Sequence, residues 1–527
     1  MNDSIIAFRA KEQLGKFLGK VFAHFSKPKK KFLADMLYGI QASGDTQLSS
    51  VMRAINDAPD MRHAVEKRLS RNVANEDIGD EIDKAILAEG ARHVRDDSLI
   101  LVDPTEIRKE FGLRMEHVTM VRDASRSSKE GREVLVHGYH GCMAVACQNG
   151  RRKTVPLALK LWSSRAPGHL GENDEVLKLI AAIMAATGGK GTLVYDRGGD
   201  RPAFYKAFIE NGWDFIVRMT GRNVLSWNGL HEIHWLARQC TMRHHHHVEF
   251  DSHGKECSVQ ISFGAMPVRL PTHPEKELHM VVVRGFGSDP MMLLTSLPVN
   301  GSFESMWRVV EGYLTRWRIE ETIRFVKQSY GFENVRVLSY RGIRNMASIV
   351  LATAYFASAW LGRHVKREVL AEHLKSLSQR LGKVPEFANY AIADGLRRAF
   401  TRFGRWCRKI IDPEPEPNEN DLLEFLPGFR DLFAADTCRA RCMANWKARS
   451  PSNSAERECT EAKRRVDSAK PNPQGAQASA REPYRSEFLQ GKKNAHFTSE
   501  NAHHPLFIGV RCVLTVKKWV NSRARQF

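Results

Sequence analysis

Five polar or aromatic side chains between positions 313 and 327 are spaced so that a single helix would bring them to one target. At about 100° per residue they fall within an arc of about 80°. The five residues are Tyr313, Arg316, Glu320, Arg324 and Lys327. A stripe of cations around one carboxylate could hold phosphate oxygens beside a reacting centre. The alternative is a solvated helix face, in which i,i+4 ion pairs contribute about 0.2–0.5 kcal/mol each.

Two further carboxylates end apolar runs that predict β-strands. Asp103 closes the run SLILVD at 98–103, and Asp196 closes the run GTLVYD at 191–196. Side chains at the carboxyl ends of strands in an α/β sheet project into the crevice where ligands bind, and a carboxylate buried there needs a cation. Asp123 is an alternative to Asp103 as the first acidic residue of the site, although no apolar run of strand length precedes it.

Asp103, Asp196 and Glu320 together would suit one or two hard divalent cations with oxygen ligands. Mg²⁺ is the preferred ion and Mn²⁺ a possible substitute, because such ions keep open positions for phosphate oxygens. Two of them can activate a water or a 3′-hydroxyl and stabilise the leaving oxygen of an in-line phosphoryl transfer. The three residues therefore predict a metal-dependent phosphoryl-transfer site, with the cationic stripe on the phosphodiester.

The elements that must position these side chains change character along the chain. Residues 1–95 have helical periodicity and flanking basic clusters, which predicts a helical N-terminal DNA-binding domain, with an ordinary helical bundle as the alternative. Residues 96–220 predict the first part of an α/β core, and 221–300 a mostly β insertion. Residues 301–435 predict the second part of the core and a helical C-terminal region. Residues 436–527 predict a basic, disordered tail.

The chain is strongly basic, with 80 Lys or Arg and 60 Asp or Glu among 527 residues, a net charge of +20. Such a surface attracts polyanions, either nucleic acid or an acidic membrane. Residues 436–527 hold 18 Lys or Arg and 8 Asp or Glu, so half of the excess lies in the tail. The hydrophobic fraction of 42% excludes a membrane-spanning bundle and global disorder.

Several patterns that imitate functional sites favour structural explanations. The uncharged segment 346–361 is shorter than a membrane span and predicts a buried core helix. Four histidines at 244–247 would alternate faces in a strand, so at most two could share a metal ion. The loop at 187–192 mimics a phosphate-binding loop but precedes a strand, which favours a helix C-cap turn. Nine scattered cysteines and an N-terminus without a secretory pattern predict reduced thiols in a cytosolic protein.

The spacing of the helical stripe resembles a known signature. Tyr313-x2-Arg316-x3-Glu320-x6-Lys327 is similar to the Y-R-E-K signature of the IS4 family of DDE transposases, and the run Tyr-x-x-Arg-Trp-Arg-Ile-Glu is close to its wording. The segments LILVDPTEI and LVYDRGGDRPAFY resemble the first and second Asp strands of that family. The resemblance covers roughly residues 30–435, and the long interval between the second Asp and the Glu accommodates a β insertion that the family also carries.

This resemblance implies an RNase H-like core that cuts transposon ends and joins their 3′-hydroxyls to target DNA. The partners would be double-stranded DNA, as terminal inverted repeats and as target, and a second copy of the chain in a synaptic homodimer at the bacterial nucleoid. The implied metal ligands are Asp103, Asp196 and Glu320. The candidate DNA contacts are Tyr313, Arg316, Arg324, Lys327 and Trp317. Trp307 and Trp317 are candidates for an aromatic residue that receives a flipped base.

Two other functions remain open on the sequence. A catalytically inactive DNA-binding protein, either a transposition repressor or a decayed transposase, would bind terminal repeats in a salt-sensitive way without cutting them. A host nuclease or resolvase on the same core would hydrolyse DNA without strand transfer.

Overall fold

The N-terminal part of the chain is helical, as its apolar periodicity predicts. The computed structural model describes residues 3–402 except 56–57, 76–77, 124–125, 128–130, 152, 253–254 and 377–387. The helices before the first strand are α1 (Asp3–Val21), α2 (Lys27–Ser43), α3 (Leu48–Ile55), α4 (Arg62–Val73) and α5 (Ile78–Ala91).

A mixed sheet of 12 strands runs through the described part of the chain. The strands are β1 (Ser98–Arg108), β2 (Thr119–Arg122), β3 (Leu135–Gln148), β4 (Thr154–Trp162), β5 (Thr192–Tyr195), β6 (Phe215–Arg218), β7 (Asn223–Ser226), β8 (Gly229–Glu232), β9 (His244–Ser252), β10 (Lys255–Leu270), β11 (His273–Arg284) and β12 (Met291–Thr295). The later helices are α6 (Glu172–Thr187), α7 (Pro202–Glu210), α8 (Ile233–Gln239), α9 (Phe303–Thr315), α10 (Trp317–Ser329), α11 (Tyr340–Tyr355), α12 (Arg363–Ser376) and α13 (Asn389–Arg402). The predicted α/β class is confirmed.

The strands that bear the candidate site pair in the order β4-β3-β1-β5-β6. β3 is antiparallel to both β1 and β4, whereas β5 and β6 run parallel to β1. Strands β5 and β6 are short and buried except for Arg218 at the end of β6, which suits a sheet covered by helices on its faces. Their carboxyl ends therefore meet at one edge of the sheet.

The β-rich segment at 221–300 continues this sheet. β12 pairs antiparallel with β6, β11 pairs with β12, and β10 pairs with β11. β9, which contains the four histidines, pairs with β10. The chain then returns from β12 to α9, so the segment connects two parts of the same layer.

Strand β1 is longer than its apolar run predicts. The sequence expectation that the strand ends at Asp103 is wrong, because antiparallel pairing with β3 continues without a break to the pair Arg108–Gly138. The parallel pairing with β5, however, stops at Leu101–Val194. Extending that register by two residues places Asp103 level with Asp196. Asp103 therefore lies in the middle of a strand and also just past the end of its parallel pairing.

Helices from the two ends of the described chain share one core. Gln41 on α2 accepts a hydrogen bond from Tyr330 Oη at 3.3 Å, and its amide donates to the carbonyl of Ala393 at 3.3 Å. Asn345 on α11 donates to the carbonyl of Val73 at 2.8 Å. All described residues belong to one compact unit. A DNA-binding role for residues 1–95 stays a prediction.

The uncharged segment 346–361 is buried, as predicted for a core helix. It forms most of α11 and a following π-helical turn, Phe356–Trp360, with Met346 and Ile349 fully inaccessible. Within the described ranges, no single helix combines the length and apolar composition needed to cross a bilayer. The consecutive helical segments Tyr340–Trp360 and Arg363–Leu370 reach that length and composition only together, and the chain bends by 95° between them. The predicted tail at 436–527 lies outside the described residues.

Candidate active site

The helix that carries the polar stripe is interrupted at Arg316. The sequence predicts one continuous helix from Tyr313 to Lys327, which is wrong: α9 ends at Thr315 and α10 begins at Trp317. Thr315 Oγ1 donates to the carbonyl of Glu311 at 2.8 Å, a back-bond that bends helices. The Arg316 N–H then donates to the carbonyl of Tyr313 at 3.1 Å, which tightens the turn.

Helix α10 is oriented over the sheet by its buried face. Ile319, Phe325 and Val326 are inaccessible to solvent, and Thr322 Oγ1 lies 3.2 Å from Thr154 Oγ1 on β4. This spacing of three and four residues is the apolar face of an amphipathic helix. Glu320 follows Ile319 directly and so points along the sheet edge where Asp103 and Asp196 lie.

The three predicted carboxylates gather around one guanidinium. Arg316 Nη2 lies 2.9 Å from Glu320 Oε1 and 3.9 Å from Asp196 Oδ2. Asp103 interacts electrostatically with Arg316, Glu320 and Asp196. The Arg316 side chain is 5% exposed, whereas those of Asp196 and Glu320 are 28% and 31% exposed. The structure therefore brings two strands and one helix together at a partly open acidic site with a buried cation.

Asp196 has a second hydrogen-bond donor in Tyr313. The Tyr313 hydroxyl donates to Asp196 Oδ1 at 2.6 Å. Arg218, the last residue of β6, approaches the same hydroxyl at 3.4 Å. Burial, together with the Asp196 carboxylate, raises the pKa of Tyr313 to about 12, so the phenol keeps its proton at neutral pH and donates it. Tyr313 thus fixes the orientation of the Asp196 carboxylate.

The three carboxyl groups differ in acidity. Burial raises the pKa of Asp103 to about 7, with the neighbouring carboxylates adding to the rise and Arg316 opposing it. Burial also raises the pKa of Glu320, against the attraction of Arg316. For Asp196, burial is outweighed by Arg316 and by the Tyr313 hydrogen bond, which together lower its pKa. Negative charge in the site thus exceeds what Arg316 alone compensates.

Two cations of the predicted stripe contact other acidic residues. Lys327 Nζ lies 3.2 Å from Glu106 Oε1 and 3.6 Å from Glu333 Oε1. Arg324 Nη1 lies 3.1 Å from Glu321 Oε1. Of the five side chains in the stripe, the structure therefore places Tyr313, Arg316 and Glu320 at Asp196.

The two tryptophan candidates occupy different environments. Trp317 is 39% exposed and its ring lies 5.6 Å from the Arg316 guanidinium, a cation–π contact at the edge of the site. Trp307 packs 4.3 Å from the ring of His246 and beside Phe303. Trp317 is thus accessible to a ligand, whereas Trp307 joins β9 to α9.

Two rival sites have structural roles in the fold. Asp123 is fully buried and pairs with Arg108 at 3.0 Å, away from the three carboxylates. The loop after α6 is a helix C-cap, in which Gly188 adopts the left-handed conformation with φ of 66°. Among the residues that the structure describes, no group of three or more His, Cys, Asp or Glu side chains is arranged to hold a metal ion as it stands.

Three charged residues near the site escaped sequence reasoning. Arg218 ends a buried strand, so the rule that selected Asp196 could have found it. Glu106 and Glu333 carry no such signal. Glu106 lies 221 residues before Lys327 in the sequence, and Glu333 follows the end of the helix that carries Lys327.

Comparisons with known proteins identify the domain that carries this site. Residues 95–357, which include all three carboxylates, match the family model described as a transposase DDE domain. No curated protein sequence matches significantly. Among solved structures, a piggyBac transposase in a synaptic complex with hairpin DNA matches over 79% of this chain and 87% of that chain, at a TM-score of 0.35 and 8% identity. Residues 95–357 are therefore similar to a transposase DDE domain, and the three carboxylates lie within that match.

Proposed function

We propose that this chain is a cut-and-paste DNA transposase of the IS4 type. It would cut the terminal inverted repeats of an insertion sequence and join the freed 3′-hydroxyls to target DNA. The observation that carries the proposal is the convergence of Asp103, Asp196 and Glu320 on Arg316 within the matched domain. The strand order β4-β3-β1-β5-β6, in which β3 alone runs antiparallel to the other four strands, supports an RNase H-like core.

The acidic site fits a divalent cation by its donors and by its charge. Asp103, Asp196 and Glu320 offer carboxylate oxygens, the ligands that Mg²⁺ and Mn²⁺ prefer. Burial and the neighbouring acids raise the pKa of Asp103 to about 7, and a bound cation would favour its ionised form. When bound, the ions would activate the attacking hydroxyl and stabilise charge on the leaving oxygen.

The remaining side chains would bind and orient the DNA strand. Tyr313 holds the Asp196 carboxylate through its hydroxyl, and Arg218 supports that hydroxyl. The Arg316 guanidinium carries the positive charge at the centre of the site, so it could attract a phosphate oxygen. Trp317 lies next to that guanidinium and is open to solvent, which suits contact with a sugar or a base. Lys327 and Arg324 would extend the contacts along the strand.

The proposal is tested on DNA duplexes that carry the inverted repeats flanking the coding region. With Mg²⁺ and a supercoiled target, the purified chain is expected to nick at the repeat ends and to join them to the target. Joined products on a sequencing gel, with short duplications of target sequence, support the proposal. Hydrolysis without joining would favour a nuclease or resolvase, and salt-sensitive binding without cutting would favour an inactive DNA-binding protein. A homodimer is expected in the DNA complex and is measured by light scattering.

Divalent cations are expected to stabilise the folded chain through the acidic site. At a Mg²⁺ concentration ten times the dissociation constant, the free energy of unfolding should rise by about 1.4 kcal/mol. The measurement is a thermal melt in Mg²⁺ or Mn²⁺ against KCl of equal ionic strength. Asp196→Asn should lose most of this rise, because it removes one ligand. An equal rise in the variant would place the cation elsewhere.

A further inference from the structure

A network of ion pairs joins strand β1 to the turn that follows α10. Glu333, in the 3₁₀ turn Phe332–Asn334, accepts hydrogen bonds from Arg108 Nε at 3.2 Å and Nη2 at 2.9 Å. Arg108 also contacts the buried Asp123 at 3.0 Å. Lys109 donates to the carbonyl of Val335 at 2.6 Å, which anchors the same turn to β1. Glu333 is therefore held in place by a two-point contact that is itself supported.

Lys327 lies between two carboxylates of this network. Its ammonium is 3.2 Å from Glu106 on β1 and 3.6 Å from Glu333. A lysine ammonium has three N–H donors; the Glu106 contact uses one of them, whereas the Glu333 contact is an ion pair beyond hydrogen-bond distance. The side chain is 18% exposed, so the remaining donors can reach a ligand from solvent. Arg108 and Lys327 share the charge of Glu333, and Lys327 keeps N–H donors that a phosphate oxygen could accept.

The position of this lysine is matched to the acidic site. Glu106 lies three residues after Asp103 on a strand, a distance of about 10 Å. Lys327 lies seven residues after Glu320 on a helix, again about 10 Å. The Glu106–Lys327 contact therefore joins β1 and α10 about 10 Å from the acidic site along each element. Glu333 is a second acidic partner of the same ammonium.

We propose that Glu333 is a positioning residue that holds the Lys327 ammonium against one phosphate of the bound DNA strand near the cut; this inference rests on the function proposed above. Glu333 itself does not touch the DNA. Arg108 fixes Glu333, Glu333 orients the Lys327 ammonium by charge, and the phosphate accepts from an N–H of that ammonium. Replacing either Lys327 or Glu333 should therefore change binding at the same phosphate.

The experiment measures the affinity of the full chain for terminal-repeat duplexes in which single phosphates are replaced by neutral methylphosphonates. At the phosphate that Lys327 contacts, the substitution should weaken binding by the wild-type chain about 5- to 10-fold, the scale of one phosphate contact. Lys327→Met should lose that sensitivity at this position alone. Glu333→Gln should reduce the sensitivity at the same phosphate about 3-fold and have no further effect in the Lys327→Met background.

A purely structural role for Glu333 would give a different pattern. Glu333→Gln would then weaken binding to every duplex equally, and it would still do so in the Lys327→Met background, which overturns the inference. Glu106→Gln provides a second variant if Glu333→Gln folds poorly: it removes the acid that competes with the phosphate, so binding at this phosphate should tighten, and a loss there also overturns the inference. Glu368→Gln, which breaks the Arg9–Glu368 contact between α1 and α12, is the control for stability and should leave the phosphate pattern unchanged.

Failure of this inference and failure of the proposed function are distinguishable. If the wild-type chain cuts and joins the repeats while Lys327→Met shows no phosphate-specific effect, the role of Glu333 is wrong and the transposase function stands. If the wild-type chain neither binds nor cuts the repeats, both are overturned.

Discussion

Replacing Glu320 by Gln is expected to reduce DNA cleavage and strand transfer at least about 100-fold, the loss typical of removing one group that stabilises charge in a transition state. The amide has the shape of the carboxyl group and can still accept from Arg316, which lies 2.9 Å away in the native chain. What it loses is the negative charge that would bind a divalent cation. Single-turnover rates on pre-formed terminal-repeat duplexes measure the effect, and gel-shift titrations should show that DNA binding changes little.

Matched variants make this prediction specific. Asp103→Asn and Asp196→Asn should give losses of similar size, and combinations should not add, because the three carboxylates act as one unit. Glu321→Gln is the control: Glu321 neighbours Glu320 on α10 but pairs with Arg324. It should retain activity within a few-fold. Full activity in Glu320→Gln or Asp196→Asn would refute the assignment of the site.

The second large effect concerns stability. Replacing Arg316 by Met is expected to lower the free energy of unfolding by about 2–4 kcal/mol in EDTA. Removal of one partner from a buried ion pair costs about 3–5 kcal/mol, and we reduce this range because the Asp196 and Glu320 side chains are 28% and 31% exposed. Without Arg316, three carboxylates would face one another with no cation between them. Urea unfolding curves measure the change.

The cause of this loss is also testable. Mg²⁺ should restore part of the stability of Arg316→Met, because a divalent cation replaces the missing positive charge. The double variant with Glu320→Gln should likewise recover some stability, since it removes one of the repelling charges. Arg269→Met is the control: Arg269 pairs with Glu277 at 3.6 Å on an exposed part of the sheet, and its loss should cost less than about 1 kcal/mol. Equal losses in the two arginine variants would contradict the proposed charge balance.

The residue types and short-range patterns in the sequence were sufficient to select Asp103, Asp196 and Glu320 as candidates, and the structure places them around Arg316, although their catalytic role stays a prediction. Each strand carboxylate follows a continuous apolar run, and such runs predict burial because each apolar side chain is stabilised by leaving water. The same reasoning misplaced the end of β1, because hydrogen bonds to β3 keep the backbone extended through polar residues up to Arg108. It also predicted one helix where a threonine back-bond at Thr315 introduces a break.

Partners of the charged side chains could not be predicted in this way. Tyr313 donates to a carboxylate 117 residues away, and Lys327 reaches one 221 residues away. Periodicity within a helix shows which side chains share a face, but it says nothing about which strand that face meets. The prediction that Lys327 faces phosphate therefore lacked the two acids that contact it in the folded chain.

The amino-acid sequence determined the α/β class and the basic character of the chain and predicted the three acidic residues, because composition and local periodicity control burial, secondary structure and net charge. The tertiary structure alone decided that Arg316 lies among the acids, that Tyr313 orients Asp196, and that Glu333 and Glu106 flank Lys327. Those contacts depend on the parallel register of β1 with β5 and on how α10 packs over the sheet. Both are set by long-range packing, in which residues distant along the chain are buried against one another when the chain folds.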